Sequence, residues 1–430
     1  MFNYIKISAS IRSFLFGVIA LKTFSIGYLQ FIIHYAFGTY VKSSAIGLTV
    51  ALVLFLKTLK NWRPNKIHLI FFVPIVVSYL FFSLIPIGIV GNQYQSSFIE
   101  YGGIHLVFLV LLFIIEKDKD SLKLIEMFPK IYAFVCGIGL VHYYFVGQDN
   151  YLEFCRNYLY VVGSEMSYGS IQLTHMGETT MRWTLPGLNS LVVIQFVSIC
   201  IIIGCNELFT RGPNLFNLAS LIILLIAGLI SYSRQFYVYT ICFFILNIYF
   251  LTINKKFKAL MYLIGISAVL CIVGLYLNFD LIVARLYNLL DGIGLVSNSE
   301  LQSTSNRYAS TLFYLNLIDL NILGLNKISP DDLRFIGMPH NYLLAILFRF
   351  GTFSLFVYLL SIIFLIIEVN KNKSYQFFGY RQASINLAKY LLLQLFLAIL
   401  VNPDVYTNCL LILLITVCVN ITNGHVYKEV

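Results

Sequence analysis

The chain has 430 residues, of which 59% are hydrophobic, 16% aromatic and only 11% charged, with a mean hydropathy of +0.83. Soluble domains carry about 25% charged residues, so this balance excludes a string of water-soluble domains and fits an all-α, polytopic integral membrane protein. The formal net charge of +10 raises nucleic acid as a partner, and the placement of the charges removes it.

A membrane-spanning helix needs about 20 apolar residues to cross roughly 30 Å of hydrocarbon. About twelve segments meet that need: 13–35, 42–57, 68–92, 99–115, 128–146, 186–204, 214–231, 235–252, 258–277, 341–368, 386–402 and 405–424. They use up most of the chain, which reads as one membrane domain over 1–430. No small-residue cleavage site follows the first apolar run, so that run is expected to be a retained helix. The run from Asn214 to Phe250 is broken only by Ser231-Tyr232-Ser233-Arg234, the pattern of a tight hairpin between two helices. Two loops are long, 147–186 and 278–340. Within them, 153–160 and 281–290 carry apolar residues at helical spacing and read as short helices on the membrane surface. No internal repeat, low-complexity tract or soluble domain is visible. The eight cysteines lie mostly in apolar runs without a CxxC pair, which marks them as small buried apolar residues.

Basic residues set the orientation. One set of alternate loops, with the termini, holds 19 of the 29 Lys and Arg, against eight on the opposite side. By the positive-inside rule both termini are cytoplasmic. The positive charge is therefore a topology signal, with contact to anionic lipid as a second use. Both long loops face outward, and six of the eight outward basic residues are arginines. A topology signal is indifferent to Lys or Arg, whereas arginine's planar fork suits phosphate and carboxylate. The asymmetry points to an anionic ligand on the outer face.

The residues with chemical potential gather there. His340 follows Pro339 and opens an apolar run, so it sits near an outward helix N-terminus, which favours the neutral imidazole. A neutral ring accepts a proton from a sugar hydroxyl; a capping role shared with Asn341 is the competing reading. His142 and His175 also face outward and are weaker rivals. Arg234 interrupts almost forty apolar residues, a costly placement unless it snorkels or binds. Arg307 shares the second long loop with His340, where a solvated arginine is the alternative. Arg182 precedes a helix beside Trp183, where interface anchoring competes with binding. Arg349 lies nine residues beyond His340 in the same apolar run and needs a partner or a wet cavity. No HExxH, outward DxD, Walker A, GxGxxG or GxSxG pattern is present, so no metal or other cofactor is expected. The arginines and a histidine suit a metal-free reaction on a phosphate-activated donor.

Three stretches resemble the superfamily of O-antigen polymerases and ligases, membrane glycosyltransferases of bacterial surface-polysaccharide assembly. Ser231-Tyr232-Ser233-Arg234 is similar to the family's Ser-Arg at an outward helix junction. Arg307, with Gly324-Leu325-Asn326 after it, matches a second arginine in a long outward loop. His340-Asn341, nine residues and then Gly351 resembles the family's His-Asn-x9-Gly. Arg182 to Asn189 is a looser match. The chain departs after Gly351, which is followed by Thr352-Phe353-Ser354, and at Gly324-Leu325-Asn326, where Gly-x-Gly is usual.

The resemblance implies an undecaprenyl-pyrophosphate-linked oligosaccharide as donor, and a periplasm-facing site in a bacterial inner membrane. In a polymerase the acceptor is a second lipid-linked repeat unit; in a ligase it is the lipid A–core of lipopolysaccharide. Arg234 and Arg307 would hold the pyrophosphate, His340 would act as base, and Arg182, Asn341 and Arg349 are further substrate-binding candidates. Implied partners are the lipid-linked sugars, membrane lipids and a chain-length-regulating co-polymerase. A transporter is the rival from another class, but no repeat symmetry favours it, and Lys22 and Arg349 are the only basic residues deep in apolar runs.

Overall fold

A computed structural model describes residues 35–36, 121–161, 172–175, 178–181, 183–186, 190–253, 257, 260–268, 272, 311–316, 341–371, 380–401 and 405–423. In chain order the elements are α1 (Ser121–Glu126), α2 (Phe128–Val146), α3 (Gln148–Val161), β1 (Gln172–His175), β2 (Glu178–Met181), α4 (Ser190–Arg211), α5 (Leu215–Ile230), α6 (Arg234–Ile253), α7 (Tyr342–Lys371), α8 (Tyr380–Val401) and α9 (Val405–Asn423). The described residues are thus helical apart from one antiparallel hairpin, and the chain divides into two compact units. The first takes 1–47 and 119–289, the second 48–118 and 290–430.

Among the described residues, four helices are long and apolar enough to cross a membrane: Leu122–Val146, Val192–Arg211, Thr352–Lys371 and Tyr380–Leu400. Leu215–Ile230, Gln235–Tyr249 and Leu410–Thr422 are shorter apolar helices. Seven of the expected spans therefore fall on described helices. The first four lie outside the described residues, Tyr35 apart, and 258–277 is described only in part.

In the first unit α4 is the centre. Its sequence is apolar on every side, and Val193, Ile194, Phe196, Val197, Cys200 and Ile203 are all fully enclosed. A helix apolar all round must be buried in protein or lipid, and here α2, α5 and α6 enclose it. α4 approaches α5 closely at Gly204, where an added Cβ would lie 2.8 Å from Leu221 Cδ2. Asn217 Nδ2 donates to the Gly204 carbonyl at 3.1 Å in the same place. The small residue lets two backbones meet, and the amide replaces a bond that hydrocarbon cannot supply. By contrast, α2 turns Phe134, Ile138, Val141 and Phe145 outward at helical spacing. An apolar stripe of that length belongs to a lipid-facing helix rather than a water-facing one.

The second unit carries α7, α8 and α9, with α8 packed along α9 and α7 against both. Ser384 Oγ donates to the Cys418 carbonyl at 2.9 Å and ties α8 to α9. α7 exposes Phe353, Phe356, Leu360, Ile363 and Ile367, a second lipid-facing stripe.

The elements differ from the sequence expectation in four places. α4 continues to Arg211, past the predicted end at 204, because its polar last turns find partners described below. α8 starts at Tyr380 rather than 386. The first long loop contains a 14-residue helix, α3, longer than the expected 153–160, and its Tyr151, Leu152 and Cys155 are buried as α3 packs on α2. The same loop forms the β1–β2 hairpin, pairing Gln172 with Met181, Leu173 with Thr180, Thr174 with Thr179 and His175 with Glu178.

Candidate functional site

The junction between α5 and α6 is a tight connection of three residues, as the break in the apolar run predicts. The Ser231 N–H reaches back to the Ala227 carbonyl at 3.2 Å and Tyr232 N–H to Leu229 at 3.1 Å, so the last carbonyls of α5 are satisfied locally. The Ser231 hydroxyl donates to the Gly228 carbonyl. A methyl group on Gly228 would collide with the ring of Phe236, so the glycine is what lets α6 start this close to α5. Ser231, Tyr232, Ser233 and Gln235 are all buried.

Tyr232 has φ +48°, and it is the one non-glycine residue with positive φ among the described residues. That conformation costs a residue with a Cβ about 1–2 kcal/mol, and glycine or asparagine would adopt it more cheaply. Strain of this kind persists where the surroundings hold it, often at functional sites.

Arg234 is the first residue of α6, and the first turn of that helix contains no acidic residue. A cation at a helix N-terminus opposes the macrodipole, so helix stability does not account for it. A helix N-terminus is itself a place where phosphate binds.

The C-terminal end of α2 carries several phenols. The Tyr143 ring stands edge-on to Tyr144 at 5.3 Å and to Tyr151 at 5.6 Å. Tyr151 donates to the Thr184 carbonyl at 2.8 Å, which clamps the buried segment from Trp183 to Pro186 against α2. Gly139 makes room for it, since a Cβ there would lie 2.8 Å from Leu185 and 3.1 Å from Trp183. Trp183 Nε1 is buried with no hydrogen-bond partner among the described residues. Burial pushes the Cys155 thiol on α3 up to about 12.

In the second unit, Asn341 is the N-cap of α7. Its Oδ1 accepts from Leu343 N at 2.9 Å and from Leu344 N at 3.3 Å, and its carbonyl accepts from Ala345 N at 3.0 Å. The side chain proposed for substrate contact thus has a structural task of its own. Arg349 lies within α7.

Of the six residues singled out from the sequence, Arg234 falls in the first unit and Asn341 and Arg349 in the second. His340, Arg307 and Arg182 lie outside the described residues. Of the weaker rivals, His142 is packed edge-on to Tyr151 and Phe154, both at 5.1 Å, and His175 pairs with Glu178 in the hairpin.

Sequence reasoning missed a charged cluster at the opposite end of the first unit. Lys130 Nζ contacts both Glu207 oxygens at 3.0 and 3.2 Å, and Arg211 Nη2 meets Glu126 Oε2 at 2.8 Å. Lys130 and Arg211, which the sequence reading assigned to topology, are ion-pair partners here. The visible hint was Asn206-Glu207, which breaks the apolar run in the last turns of α4.

No protein-family model, no curated protein and no solved structure matches this chain.

Proposed function

We propose that this chain is an O-antigen polymerase, a glycosyltransferase that joins undecaprenyl-pyrophosphate-linked repeat units at the periplasmic face of a bacterial inner membrane. In this reading the chain crosses the membrane about twelve times with both termini in the cytoplasm. The observation that carries the proposal is Arg234. It stands at a helix N-terminus with no acid in the first turn, behind a buried Ser-Tyr-Ser turn, where a pyrophosphate would meet the positive end of the helix dipole.

The reaction is a single displacement. An acceptor hydroxyl oxygen attacks the anomeric carbon of the donor, and His340 takes its proton. The bond to the pyrophosphate oxygen breaks, and undecaprenyl pyrophosphate leaves with the electron pair. The configuration at the anomeric carbon inverts. Arg234 and Arg307 stabilise the charge that develops on the leaving group, while Arg182, Asn341 and Arg349 serve as further substrate contacts. The chemistry calls for no metal or other cofactor. A chain-length-regulating co-polymerase is the natural protein partner.

The test is the surface-glycan ladder of cells lacking the gene, run on a denaturing gel. A core bearing one repeat unit is the expected result. A bare core with accumulated lipid-linked polymer would make the protein the ligase, and an unchanged ladder would sink both and favour a transporter. Returning the gene with His340→Ala should leave the single-unit core with normal protein levels; restored polymer would move the base elsewhere.

A further inference from the structure

We infer that Tyr342 and Tyr358 are positioning residues: their ring contact holds α7 folded back on itself and so fixes the place of Asn341 and of His340 bonded to it. The effect on the reaction rests on the transferase reading; the folded helix does not.

The two rings stand edge to face at 5.3 Å with an interplanar angle of 71°, and both side chains are fully buried. Yet both belong to α7, Tyr342–Lys371, sixteen residues apart in the chain. A straight helix rises 1.5 Å per residue and would hold their Cα atoms about 24 Å apart. Two tyrosine side chains reaching straight toward each other close only part of that gap. The helix therefore bends back sharply between them. Gly351 is the one glycine in the interval and stands next to its midpoint, where a bend brings the ends closest; sharp helix bends form at such residues. From the ring contact toward the bend, the next residues on the same two sides are Ala345 and Ser354, both buried. Small side chains there let two converging arms approach.

The fold-back moves the start of α7. In a straight helix the Asn341 cap would stand beyond Thr352, where the apolar stretch Thr352–Lys371 begins. In the folded helix the cap lies beside Tyr358, about 9 Å along that stretch. A helix end at such a depth needs protein around it, and the buried ring pair supplies the contact. The sequence hides this, because His340, Asn341 and Gly351 read as the two ends of one uninterrupted turn-to-helix run.

Spin labels at Leu343 and Ile367, attached through ketone-bearing residues so that the native cysteines stay untouched, measure the bend in the full chain in lipid nanodiscs. A straight helix puts the two backbones about 36 Å apart. The folded helix puts them under about 20 Å, nine residues of rise and one interaxial spacing. The long distance in the native chain overturns the inference. Tyr358→Ala, with Tyr342→Ala as the second choice if the first does not fold, should lengthen and broaden the distance, and Tyr358→Phe should keep it. With lipid-linked repeat units, the alanine variant should lower kcat about a hundredfold, the scale of a 1 Å misplacement, with KM little changed, and Tyr358→Phe should restore it. A distance and kcat unmoved by the alanine variants, or kcat lost equally with phenylalanine, overturns the positioning role. A native chain that makes no polymer overturns the transferase reading instead, and the spin-label distances still decide whether the ring pair holds the fold-back.

Discussion

The Lys130–Glu207 pair allows a quantitative test of how the first unit is held together. The two side chains are 19% and 9% exposed, with Nζ close to both carboxylate oxygens. At about 3 Å and an effective dielectric near 20, the Coulomb attraction is roughly 5 kcal/mol. Desolvating two ions takes back much of it, so the net worth of the pair is small while the cost of orphaning one partner is large, about 3–5 kcal/mol for a fully buried pair. Partial exposure of Lys130 lowers that to about 2–3 kcal/mol for Glu207→Ala. Removing both charges, as in Lys130→Met with Glu207→Leu, should cost less than the single Glu207→Ala change. The assay is equilibrium unfolding in mixed micelles with a denaturing detergent, run as a double-mutant cycle. Single changes that add to within about 0.5 kcal/mol of the double would refute the reasoning. They would mean that water or lipid headgroups already solvate both ions, and that the pair is incidental to the packing of α2 on α4.

Two more predictions concern single side chains. Asn341→Ala should cost about 1 kcal/mol through loss of the α7 cap, and Asn341→Asp should retain it; a stable Asn341→Asp protein with no polymer-forming activity would assign the amide a role in the reaction beyond capping. Cys155, enclosed on α3 with its thiol pushed up to about 12, should resist maleimide at pH 8 in the folded protein and react on denaturation. Prompt labelling of Cys155 in the native chain would mean that α3 does not stay packed on α2.

The helical class and the junction at Ser231 were legible because apolar length and a polar break are local properties of sequence. The start of α7 was legible for the same reason, since Pro339, His340 and Asn341 stand immediately before an apolar run. Three features were not. The partner of Lys130 lies 77 residues away, and the polar break at Asn206-Glu207 does not say which residue answers it, so Lys130 and Arg211 read as topology signals. The positive φ of Tyr232 runs against the preference of its own residue type and is imposed by tertiary packing. The hairpin of β1 and β2 has strands of four residues, too short for alternation to stand out in a polar loop. Arg234 was legible as an outlier, and what the structure adds is its position at the very start of α6, a helix with no acid in its first turn.

The cap on α7 has a consequence for ligand selection. An amide side chain ordinarily offers one acceptor and two donors, so it discriminates poorly between partners. In Asn341 the oxygen is committed to two backbone N–H groups, and what is left for solvent or substrate is the NH2 alone. The residue therefore behaves toward any incoming molecule as a neutral donor of fixed orientation, polarised further by the bonds its oxygen already accepts. Such a group welcomes an oxygen lone pair and turns away a hydroxyl hydrogen. In the proposed transfer, an acceptor alcohol losing its proton would meet in Asn341 a dipole that steadies the oxygen as it becomes negative.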